Sequence, residues 1–219
     1  MQPASILLAV AALTASSILQ SGESDDESWP PFPVDPQLAR CAERLEPVPG
    51  WDVEISEQPV FLTLSQEQMN VQISDDWPVQ GKFRFIIAAW DDELRLQVQP
   101  GYVNLPGRTK DSEYFWEDVL LTVAQGDHPL FTLAADISEI GIVHNGRSLL
   151  GVNYYTTQHE AAALRTAAEN SGQDIRFDFR KADATEPFVR ISMAPDVVAR
   201  GFTAGPEILD WRDRSCPVE

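Results

Sequence analysis

The sequence predicts a mainly β, β-rich α+β fold: an antiparallel β-sandwich or curved sheet with one substantial helix, about residues 158–170, packed on it. Three observations carry that expectation. From Trp51 onward apolar and polar residues alternate with period two, which puts one side of each strand in a core and the other in water. Turn signals separate these runs, and one segment has the start and stop signals of a helix. The length, 219 residues, suits one domain or two small ones. A content of 43% hydrophobic and 23% charged residues is that of a folded soluble domain, which excludes wholesale disorder.

The elements follow in chain order. Residues 1–22 carry no charge, and Ile6 to Leu13 is an apolar run followed by Thr14-Ala15-Ser16-Ser17. This pattern is that of a secretory signal with a small-residue cleavage region, although Met1-Gln2-Pro3 lacks a basic residue. An uncleaved anchor and a buried helix are the other readings of residues 1–20; the run is short for a membrane span of about 20 residues. Residues 21–40 are acidic, then Pro-rich, with Trp29 and Phe32 among the prolines. Such a stretch buries too little apolar area to order itself and reads as a linker. A single β-rich domain is expected over 41–219.

Within it, short strands are expected at 53–55, 60–64, 69–73 and 94–99, and Phe83 to Trp90 is apolar enough for burial on both faces. Asp91-Asp92 reads as a tight turn between the last two. A hairpin is expected around 125–129 and a second around 144–147, where Asn145-Gly146 supplies the positive-φ pair of a type I′ turn. Thr157-Gln158-His159-Glu160 has capping-box spacing, and Ala161, Leu164 and Ala168 form a small-sided apolar face before Asn170-Ser171-Gly172. Strands at 175–179 and 188–193 follow, then a short helix from Pro195 to Arg200 that Gly201 is expected to end.

The order of an Ala-rich helix at 158–170, strands at 175–179 and 188–193, and Gly201-Phe202-Thr203-Ala204 resembles the closing half of exported proteins of the invasion-associated locus B type. The resemblance covers about 45 residues and implies a small envelope β-sandwich ending in a Gly-Phe-containing turn, with no catalytic residues to carry over. That family's paired cysteines inside the domain have no counterpart here.

The chain has two cysteines, Cys41 and Cys216, at the two edges of the expected domain. In an exported chain such a pair reads as one disulfide. Neither has a basic or histidine environment that would make it a nucleophile. The formal net charge of −18 argues against nucleic acid and anionic membrane surfaces as partners. No Gly-x-Ser-x-Gly, no complete His-Glu-x-x-His, no phosphate-binding Gly loop and no calcium loop occurs. The sequence therefore calls for no cofactor, no resident metal and no catalytic residues.

Two surfaces remain candidates. Tyr114, Phe115 and Trp116, beside the basic loop with Arg108 and Lys110, form a possible contact patch, as do Tyr154 and Tyr155. Asp91, Glu93 and His144 are the residues from which an acid/histidine site would have to be built. The function expected is a non-enzymatic, exported binding or structural module of a bacterial cell envelope, periplasmic or secreted. Its partner would be an envelope protein or a small ligand. The alternatives are an envelope hydrolase using the acid/histidine set and an N-terminally anchored accessory subunit of an envelope complex.

Overall fold

The alternation after Trp51 becomes two antiparallel sheets. The computed structural model describes residues 36–56, 59–74, 83–90, 93–100, 103–104, 116–144 and 147–216. The expected signal or anchor at 1–20 and residues 21–35 of the expected linker lie outside the described residues; the last part of that linker, residues 36–40, is helical, with Leu38 in the core. In chain order the elements are α1 (Pro36–Ala42), β1 (Trp51–Ile55), β2 (Val60–Leu64), β3 (Asn70–Ile73), β4 (Arg84–Ala89), β5 (Leu94–Gln99) and β6 (Val103–Asn104). Then come β7 (Val119–Gln125), β8 (His128–Ala134), β9 (Asp136–His144), β10 (Arg147–Tyr155), α2 (Gln158–Asn170), β11 (Ile175–Lys181), β12 (Val189–Met193) and α3 (Pro195–Ser215).

A seven-stranded sheet has the order β1-β2-β4-β5-β10-β6, with β9 also on β10; a five-stranded sheet has the order β3-β12-β11-β7-β8. Their apolar faces meet. Phe85 on β4 stacks edge-on against Phe177 on β11 at 4.7 Å, Tyr154 on β10 against Phe179 at 5.3 Å, and Phe83 against Phe179 at 5.6 Å. Edge-on and tilted aromatic pairs at these separations are favourable beyond the area they bury. The Tyr154 hydroxyl crosses between the sheets and donates to the Val119 carbonyl at 3.1 Å. The expected sandwich is therefore present, and its register is set by the alternation.

The seven-stranded sheet is also covered by helix along β1, β2, β4 and β5. Here the expected short helix is corrected: α3 does not stop at Gly201 but runs on through Gly205 and Pro206 to Ser215. The expected Gly-Phe final turn is likewise helical. Gly201 serves close approach, not termination. A Cβ there would overlap the Trp51 ring and lie 2.8 Å from Ile87 Cδ1, and one at Gly205 would lie 3.3 Å from Ala89 Cβ. The Trp51 indole also donates to the Val197 carbonyl at 3.0 Å, pinning the first turn of α3 to β1. Burial of Phe202, Ile208 and Leu209 on the same helix outweighs the weak propensity of two glycines and an exposed proline.

The capping box of α2 is formed. The Thr157 hydroxyl accepts from Glu160 N–H, and the Glu160 carboxylate accepts from Thr157 N–H at 2.8 Å. Ala161, Leu164 and Ala168 are its buried residues. Its end is not a left-handed glycine: Ser171 is the cap in extended backbone, and among the described residues only Gly50 and Gly126 are positive-φ glycines. Gly126, with φ 55°, opens the β7–β8 turn. That turn is tighter than expected, since Gln125 already pairs with His128 and Pro129 lies inside β8. β8 is an edge strand, where a missing N–H is tolerated. The expected β4–β5 turn is closed by reciprocal backbone bonds between Trp90 and Glu93. β3 departs from its expected half burial. It is an edge strand on β12, all four residues are exposed, and Val71 (36%) and Ile73 (53%) are among the large exposed apolar residues.

Candidate functional site

Alternation along Ile175–Lys181 buries Ile175, Phe177 and Phe179 against the seven-stranded sheet. It therefore turns Arg176, Asp178 and Arg180 to the outer face of the five-stranded sheet. The antiparallel register sets Asp178 between Arg190 on β12 and Thr122 on β7, and Arg176 beside Ala124. The result is an outward patch of three arginines on one sheet of an acidic protein.

Asp178 is only 8% exposed. Arg190 grips it as a fork, with Nε to Oδ1 at 2.9 Å and Nη2 to Oδ2 at 3.3 Å. That hydrogen bonding raises the Arg190 pKa above its ordinary value; burial opposes the rise, and the charges of Asp178, Glu186 and Asp127 add to it. Arg176 Nε is 3.1 Å from Asp178 Oδ2, but it is not aligned for a hydrogen bond and is a buried donor without a partner. Its Nη1 reaches Asp127 Oδ1 at 3.4 Å. Arg180 makes one long bond, Nη1 to the Ala184 carbonyl at 3.5 Å, and its Nε is also buried without a partner. Among the described residues Arg180 has no ion pair.

These side chains line a groove of about 250 Å³ whose walls include Thr122, Thr185, Ala124, Pro129 and Pro187. A buried N–H left without an acceptor costs about 1–3 kcal/mol. Arg180, with no ion pair among the described residues and one long main-chain bond, is the lining residue with most to gain from an incoming acceptor.

The expected site residues are placed as follows. Cys41 and Cys216 are disulfide-bonded, with Cα atoms 6.0 Å apart and 175 residues between them in sequence. Arg44 adds a clasp, donating from Nη2 to Cys41 Sγ at 3.0 Å and to the Ser215 carbonyl at 3.2 Å. Trp116 is not part of a contact surface: it is 1% exposed and belongs to the core just before β7. Arg108, Lys110, Tyr114 and Phe115 lie outside the described residues. Tyr154 is likewise core, and burial raises its pKa above the ordinary phenol value. Tyr155 is exposed, its pKa raised by partial burial and by Asp136.

The acid/histidine set does not converge. His144 ends β9 opposite Arg147, at the start of β10. Glu93 precedes β5, whose far half pairs with the end of β10 through Tyr154↔Val98. Arg147 and Tyr154 are separated by roughly 20 Å of strand at about 3.3 Å per residue, with Glu93 beyond that. Glu93 pairs with Arg95 at the edge of a cleft with Trp90, Asp210 and Asp213. There Asp210 pairs with Arg214, and Asp213 with Arg212. Asp91 lies outside the described residues. No cluster of three or more His, Cys, Asp or Glu suited to a metal occurs among the described residues.

The arginine groove was not singled out in the sequence. Its signal is present there as the charged alternate positions of Ile175–Lys181 together with Arg190; what is missing is the register that sets Arg190 against Asp178. No helix among the described residues is long and apolar enough to cross a membrane. No protein-family model, curated protein or solved structure matches this chain.

Proposed function

We propose that this protein is an exported, non-catalytic binding module of a bacterial cell envelope, working in an oxidising compartment. The observation that carries the reading is the Cys41–Cys216 disulfide, which ties α1 to the end of α3 across 175 residues. Disulfides of this structural kind persist outside reducing cytosol. The signal-like segment at residues 6–17 supports the same compartment. Separation of His144 from Glu93 favours binding over acid/histidine hydrolysis. The test is fractionation of the native host with thiol counting on the isolated protein. The expected result is recovery outside the cytosol with no titratable thiol under denaturing, non-reducing conditions. Recovery in the cytosol with two free thiols would overturn it.

A further inference from the structure

We propose that the outer-face groove of the five-stranded sheet is a binding site for a small organic monocarboxylate, held by Arg176 and Arg180 while Arg190 and Asp178 fix the floor. Three features of the groove choose that chemistry. Arg180 lines the groove with no ion pair among the described residues and one long main-chain bond, Arg176 lines it alongside, and a carboxylate has two oxygens with which to meet two guanidiniums. Its lining holds three guanidiniums against the carboxylates of Asp178 and Asp127, with Glu186 exposed between the lining residues Thr185 and Pro187. Within the lining one positive charge is in excess, on Arg180, which has no ion pair among the described residues, and Glu186 outside the lining offsets part of it; one carboxylate is therefore the most that the groove neutralises, and a dianion is disfavoured. Its walls include Ala124, Pro129 and Pro187, which suit a carbon skeleton better than a fully hydrated inorganic ion.

The structural role of the cluster does not account for Arg180. Asp178 is already satisfied by the Arg190 fork, and Arg180 is only half-buried with one long main-chain contact. A long side chain with high rotamer freedom is held over the groove with little return from the protein's own contacts. The bidentate geometry of a guanidinium–carboxylate pair supplies that return when ligand enters.

This inference deepens the binding-module reading by naming its ligand class, and the two fail separately: fractionation and thiol counting test the compartment, titration tests the groove. The experiment is titration of the full chain with benzoate at constant ionic strength, followed by calorimetry and by the arginine Nε–Hε resonances. Benzamide and inorganic phosphate are the comparison probes. Saturable benzoate binding is expected, with shifts at two Nε–Hε signals, no binding of benzamide and weaker binding of phosphate. Arg180→Gln is expected to weaken benzoate about tenfold or more. Arg180→Lys, which keeps the charge and the fold but loses the fork, should weaken it nearly as much. Absence of saturable benzoate binding, equal affinity for benzamide, tighter binding of phosphate, or unchanged affinity in Arg180→Lys would overturn the proposal.

Discussion

The two sheets share inner faces of the same kind and differ in their outer ones. On the seven-stranded sheet the outer polar cluster is a neutral amide set: Asn153 Oδ1 accepts from Gln97 Nε2 at 2.8 Å and from Gln99 Nε2 at 2.9 Å. Donors and acceptor meet across paired strands. On the five-stranded sheet the equivalent positions carry Arg176, Asp178, Arg180 and Arg190, and two guanidinium donors are left over. A polar face that satisfies itself contributes to the sheet and has nothing to offer a partner. A polar face with surplus donors is a less comfortable structure and a better receptor. The same distinction separates the acidic cleft by Trp90, where Glu93, Asp210 and Asp213 each have a basic partner, from the arginine groove.

Mutations can press on this contrast from several sides. The largest effect is expected from replacing Cys41 and Cys216 together by Ser. The chain-entropy model assigns about 5 kcal/mol to a loop of this length, and native disulfides are typically worth about 2–5 kcal/mol. Urea unfolding should therefore show a loss of about 3–5 kcal/mol. The bond lies on the helix side, between α1 and α3, so benzoate affinity of the still-folded variant should be unchanged. A parallel loss of affinity would show that the groove depends on the helix clamp and would break the contrast.

Next comes the interface the sheets share. Tyr154→Phe removes the hydroxyl that reaches Val119 and should cost about 1–2 kcal/mol at neutral pH. It also has a pH signature. Burial raises the Tyr154 pKa above its ordinary value of 10.0, so above about pH 10 the unfolded chain releases this proton while the folded chain keeps it. Stability is then fully present below that pH and falls as pH rises, at up to about 1.4 kcal/mol per unit. Phe at this position should flatten the alkaline limb of the stability profile relative to the parent. Superimposable limbs above pH 10 would remove Tyr154 from the account.

The smallest effect is expected at the amide cluster of the seven-stranded sheet. Asn153→Ala leaves two half-buried glutamine amides without their acceptor and should cost about 1 kcal/mol, since water replaces part of it. Benzoate affinity should not move. A change there comparable to that of Arg180→Gln would mean that the two outer faces are coupled through the core.

Much of this architecture was legible before any coordinate. Leu94–Gln99 and Ile175–Phe179 alternate strictly, and they became strands with their apolar residues inside. Thr157 and Glu160 capped α2 as their spacing implies, because a capping box is completed within four residues and needs no distant partner. The misreadings share a cause. Gly201 looks like a stop until the Trp51 ring is placed against it. Trp116 looks like part of an aromatic patch until its burial before β7 is known. Val71 and Ile73 look half-buried until β3 proves to be an edge. For Gly201 the deciding neighbour, Trp51, lies far along the chain, and for Trp116 and β3 the deciding fact is where the strands assemble.

The same line divides what local order settled from what folding settled. Strand faces, the α2 cap and the pairing of two lone cysteines follow from periodicity, short-range hydrogen bonding and counting, all of which are written in the chain. The groove required more. Arg190 meets Asp178 only because β11 and β12 pair in one register. Arg176 Nε and Arg180 Nε are buried without an aligned hydrogen-bond acceptor only because the strands have closed around them. An unsatisfied donor is a property of a packed environment, and no sequence position carries it until the sheets close.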